Sequence, residues 1–158
     1  MKRLTATALL AALALALSFL EGLLPPLPIP GARLGLANVT VMFALTMVSV
    51  PAAAAISTVK VLFALLRGGM ACLMSAGGSL LSLLVMWVVH RVLRDRLGAI
   101  GLGVVGALAH NAGQWLVAYA VLGSAMLYYA PILLLLAVPA GIVTGLTLHV
   151  TFPYLAKL

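Results

Sequence analysis

Acidic side chains are almost missing from this 158-residue chain; Glu21 and Asp95 are the only two. That scarcity excludes the carboxylate clusters that hold Mg²⁺ against a diphosphate. Cysteine is nearly absent as well. The single Cys72 excludes an intramolecular disulfide and a cysteine-based zinc site, so no metal centre is expected. No Gly-x-x-x-x-Gly-Lys-Ser/Thr run occurs, so any ATP-driven step must come from other chains. No haem, flavin or iron–sulfur motif is present, and no cofactor is expected. Together these gaps argue against an enzyme.

What fills the chain is apolar. Hydrophobic residues make up 65% and charged residues 7%, where a soluble domain carries about 25% charged. With a mean hydropathy of +1.29, the reading is an integral membrane protein in contact with lipid. The net charge of +7 is too dispersed to form a nucleic-acid face and reads as a topology signal. Met1-Lys2-Arg3 and the apolar run behind it have the form of a signal peptide. The run continues to Leu24 without an Ala-x-Ala exit, which favours a first spanning helix.

The pattern predicts one all-α transmembrane domain over residues 1–158, with helices at about 4–24, 36–50, 52–66, 70–90, 99–122 and 131–152. Pro51 separates the second helix from the third. The positive-inside rule sets the count at six spans with both termini cytoplasmic. Lys2, Arg3, Arg91, Arg94, Arg96 and Lys157 then lie inside, against Arg33 and Arg67 outside. Pro139 and Gly141 predict a kink or unwinding in the last helix. Leu24-Pro-Pro-Leu-Pro-Ile-Pro-Gly31 cannot be helical, and reads as either a lid or a rigid connector.

Polar residues inside apolar helices are the candidate site, because an unpaired polar group in hydrocarbon costs several kcal/mol. The fifth helix carries His110, Asn111 and Gln114 at its middle, with Trp115 beside them. At about 100° per residue Asn111, Gln114 and Trp115 share a face that His110 overlaps. Lys60 lies near the centre of the third helix, and an intramembrane lysine is costly enough to be functional by default. It would either lose its proton or await an anionic group from a ligand. Asn38, Ser75 and Ser79 fall in the same outer half. These residues either join helix to helix or line an outward-facing pocket, with Trp115 or Tyr119 stacking on a flat ligand ring. On the first helix Ala8, Ala12 and Ala16 form a small-residue stripe at spacing four.

Leu36-Ala-Asn-Val39, Met74-Ser-Ala-Gly-Gly-Ser-Leu-Leu-Ser82 and Gly106-Ala-Leu-Ala-His-Asn-Ala-Gly-Gln114 resemble the Gx transporter family, also labelled heptaprenyl diphosphate synthase component I. That family is similar to the S components of energy-coupling factor (ECF) vitamin transporters. The resemblance implies a six-helix binding and translocation subunit for a small vitamin- or cofactor-precursor-like molecule, in the bacterial cytoplasmic (inner) membrane. It implies a pocket covered by the loop over residues 24–34. It also implies that Ala8, Ala12 and Ala16 dock on a transmembrane coupling subunit, which works with ATP-binding subunits. The other label implies a non-catalytic membrane partner of a soluble prenyl diphosphate synthase; a subunit of a quinone-linked redox assembly is a further alternative.

The topology is checked by cysteine accessibility. A cysteine replacing Arg94 should resist an impermeant thiol reagent applied outside intact cells; efficient labelling would invert the assignment.

Overall fold

The computed structural model describes residues 2–23 and 33–155, and among these every regular element is helical. The proline-rich stretch expected to cover the pocket lies outside the described residues, apart from Arg33 and Leu34. Six α-helices follow one another: α1 (Lys2–Gly22), α2 (Asn38–Phe43), α3 (Val50–Leu65), α4 (Gly69–Leu93), α5 (Gly98–Leu122) and α6 (Ala130–Leu155). Three stretches are long and apolar enough to cross a membrane: Arg3–Gly22, Gly69–Leu93 and Ser124–Thr151. The apolar stretches Asn38–Val48 and Val50–Leu65 are shorter. α5 has the same 25-residue length as α4 but keeps three buried polar side chains in its middle.

Several boundaries differ from the sequence expectation. α2 passes into a π-helical turn, Ala44–Val48, and the chain breaks at Ser49, not Pro51. Ser49 is extended and its hydroxyl accepts from the Ala52 amide at 3.3 Å, capping α3. Pro51 sits in the first turn of α3, where its missing N–H is no loss. The basic stretch after α4 is a 3-10 turn, Arg94–Leu97, and another 3-10 segment, Ser124–Tyr129, leads into α6. α6 runs helical through Pro139 and Gly141 without unwinding.

Gly141 has a packing role instead. α5 lies between α4 and α6, and at both faces glycines bring backbone against backbone. A Cβ at Gly103 of α5 would come within 2.7 Å of the Gly145 nitrogen on α6; one at Gly141 would meet Val104 Cα at 2.5 Å. On the other face, a Cβ at Gly77 of α4 would meet the Gly113 carbonyl oxygen at 2.9 Å. Lipid rewards apolar burial little, so such close approach is how membrane helices gain contact. A core of Val41, Met42, Phe43, Ile56, Met86, Leu102 and Leu148 joins these helices to α2 and α3. α1 attaches through one side only. Ala14, Ser18 and Glu21 are buried, while Ala8, Ala12 and Ala16 face outward.

Gly103→Ala should lower stability by about 1–3 kcal/mol, the cost of an added methyl in a filled contact. Gly69→Ala meets no neighbour, and should stay within about 0.5 kcal/mol. Reversible unfolding in mixed micelles measures both, and equal effects would remove the close-packing account.

Candidate functional site

At one end of the bundle, the C-terminal parts of α1, α3 and α5 meet the segment before α2 and the start of α4. They enclose a cavity of about 20 Å³. Ser18, Glu21, Arg33, Gly35, Lys60, Arg67, Ser75, His110 and Gln114 supply most of its wall. As it stands it has room for about one water.

Gln114 closes one side. Its Oε1 accepts the Arg33 amide at 2.9 Å and its Nε2 donates to the Arg33 carbonyl at 3.2 Å. Since the backbone dictates which end of the amide is which, Nε2 is also the donor to His110 Nε2, 2.6 Å away. His110 therefore accepts at Nε2 and carries its proton on Nδ1, which lies against the Gly78 backbone without a hydrogen bond of good geometry. The next residues are held from α1. Glu21 Oε1 accepts the Gly35 amide at 2.6 Å and the Leu36 amide at 3.4 Å. Gly35 has φ +81, and a Cβ there would sit 2.8 Å from His110 Cδ2, so only glycine fits.

Lys60 projects from α3 and is 5% exposed. Its ammonium donates to Asn38 Oδ1 at 2.6 Å, Asn38 Nδ2 donates to Ser82 Oγ at 3.3 Å, and Ser82 donates to the Gly106 carbonyl at 2.8 Å. This chain of bonds crosses α3, α2, α4 and α5, and gives the Lys60, Asn38 and Ser82 side chains a partner each. Two cations that the sequence reading assigned to topology also reach the cavity. Arg33 and Arg67 each donate to the Ser18 carbonyl at 3.3 Å. Burial, and then the neighbouring Arg33, push Arg67 below the usual guanidinium value, while Glu21 opposes them.

The sequence-predicted residues divide. Lys60, Ser75, His110 and Gln114 line the cavity, and Asn38 holds Lys60 from behind. Ser79 is buried a turn deeper, outside the wall. Asn111 and Trp115 lie outside the wall, Asn111 turned toward α6 and Trp115 toward the 3-10 segment that precedes it. Asn111 Nδ2 donates to the Leu133 carbonyl at 2.7 Å, and the Trp115 indole donates to the Met126 carbonyl at 2.8 Å. Trp115 stacks on Tyr119 with centroids 5.7 Å apart, within the cluster of Met74, Ala118, Met126 and Leu133. α5 has a partner on each side, and neighbouring positions on one helical face can point to different partners. Arg33 and Arg67 were missed as pocket residues because charges beside helix ends ordinarily serve topology, and Ser18 because a lone serine in an apolar run carries little signal.

A second cavity, about 340 Å³, opens at the opposite end. Thr46, His90, Leu102, Leu148 and His149 are part of its wall. The helical run from Asn38 to Val48 stops short of its longer neighbours, and the volume beneath it is left unfilled.

Asn111→Ala should cost about 1–3 kcal/mol by removing a buried hydrogen bond between α5 and α6 and the packing of its side chain, without changing hydrogen exchange at the Arg33 amide. Gln114→Leu should speed exchange at that amide. Selective acceleration at Arg33 in Asn111→Ala would contradict the separation of the two side chains.

Against known proteins, neither a curated protein nor a solved structure matches the chain. A family profile described as heptaprenyl diphosphate synthase component I matches residues 10–151, nearly the full length, so the chain belongs to that family.

Proposed function

We propose that this protein is a membrane-embedded subunit that binds a small vitamin- or cofactor-precursor-like molecule and passes it inward, as ECF S components do. The observation that carries the reading is the polar cavity at Lys60, His110 and Gln114 inside an otherwise apolar bundle. Packing alone does not call for so many ionisable groups in one place, and intramembrane charges characteristically mark substrate paths. The six helical segments cross a bacterial inner membrane with both ends cytoplasmic in this reading, so the cavity faces outward. Met42, Met86 and Leu102 fill the layer between it and the larger cavity at the other end, where a translocated molecule would emerge. The outward-facing Ala8, Ala12 and Ala16 take no part in internal packing, which leaves them free for a coupling subunit with its ATP-binding partners.

The family description favours a second reading, a non-catalytic membrane partner of a prenyl diphosphate synthase. Catalysis by this chain fits neither reading. Glu21 holds backbone amides, and the only other acid, Asp95, belongs to the turn at the opposite end.

Lys60→Met should weaken retention of a co-purifying small molecule by roughly 5- to 150-fold, with membrane partners retained. Ala12→Trp should do the reverse. Mass spectrometry of the purified protein reads both. Normal ligand and partner content in both variants would sink the transport reading, and a soluble synthase recovered in place of a membrane partner would favour the second.

A further inference from the structure

Charge at the outer cavity is out of balance. Arg33, Lys60 and Arg67 face it with Glu21 as the one carboxylate, and His110 is the remaining titratable group in the wall. The whole chain offers only one more acid, Asp95, at the other end of the bundle. No other protein group can therefore neutralise these cations. Glu21 is itself engaged, with Oε1 taken by the Gly35 and Leu36 amides.

Among the described residues, the hydrogen-bond acceptors of the cations are neutral. Lys60 has three donors and gives one to Asn38. Both guanidinium groups rest on the same Ser18 carbonyl at 3.3 Å, long beside the 2.7–2.9 Å usual for a charged pair. Arg67 Nε is buried and finds no acceptor among the described residues. Phe63 lies under the Arg67 guanidinium at 5.7 Å and orients it. The aromatic rings expected to stack on a ligand are elsewhere, with Trp115 bonded to Met126 in the 3-10 segment before α6. Charge remains as the means of recognition, and it acts more strongly in a dry, low-dielectric setting.

We infer that this cavity is an oxyanion site, in which Arg33, Lys60 and Arg67 take a carboxylate or phosphate group of the transported molecule. The inference rests on the small-molecule reading above and narrows it to anionic solutes. The cavity holds about one water as it stands, so the anion takes the place of the Ser18 carbonyl as the guanidinium groups swing onto it.

The test is thermal unfolding of the full chain in a neutral detergent. Sodium phosphate and sodium acetate are titrated against sodium chloride at matched ionic strength, with acetamide as the neutral control. Saturable stabilisation by phosphate or acetate, absent with chloride and acetamide, is expected, and which anion acts identifies the group. Arg67→Gln should weaken the apparent affinity about 10- to 150-fold. If that variant does not fold, Arg33→Gln replaces it, since Gln114 grips the Arg33 backbone and not its side chain. The inference is overturned if neither anion stabilises beyond chloride, or if folded variants respond like the wild type. A neutral molecule identified in this cavity by mass spectrometry would overturn it while leaving the binding-subunit reading intact. Saturable anion binding with no uptake in cells would uphold the site and remove the transport reading.

Discussion

Gln114 grips the backbone of Arg33 at both its amide and its carbonyl, and the cavity end of the bundle is arranged around that grip. A carboxamide has donor and acceptor at a fixed spacing, so it can satisfy a non-helical backbone where no strand is available. The need is strict in an apolar bundle. Arg33 and Gly35 lie outside any helix, and their polar groups must bond inside the protein or meet water. Gln114 from α5 and Glu21 from α1 meet that need from opposite sides. The cavity is the space left between them.

Further inward the same demand gives a different outcome. Lys60, Asn38, Ser82 and the Gly106 carbonyl form a row joined by three hydrogen bonds. The row ties the short α2, at its first residue Asn38, to three neighbours. Between α4, α5 and α6, contact comes from glycine instead of hydrogen bonds. Gly77 and Gly113 bring α4 onto α5, and Gly103, Gly141 and Gly145 bring α5 onto α6. One side of the bundle is thus held by close backbone packing, and the other by polar bonds to a short helix and an irregular segment. The cations gather on the second side, where slim packing has not closed the space.

The uneven use of α1 follows from this plan. Its inner stripe of Ala14, Ser18 and Glu21 belongs to the cavity side, with Ser18 and Glu21 in the wall itself. Ala8, Ala12 and Ala16 turn away from the bundle. A single helix therefore carries the cavity wall on one face and an uncommitted small-residue face on the other.

Composition and apolar run length determined the helical class and the membrane-compatible apolar character, because both follow from local hydrophobicity, whereas the division between the second and third helices rested on Pro51 and the placement of basic residues. The scarcity of acids was equally legible, and it leaves Glu21 as the one carboxylate in the wall beside three cations. Lys60, His110 and Gln114 could be named as site residues because a polar group at that depth is costly wherever it points. Direction was decided only by the tertiary structure. Asn111 and Gln114 share a face of α5, yet one bonds to α6 and the other to the segment before α2, because α5 has partners on two sides. Arg33 and Arg67 are far apart in the chain and ordinary as topology charges; only the fold brings both to the Ser18 carbonyl and makes them part of one cationic cavity.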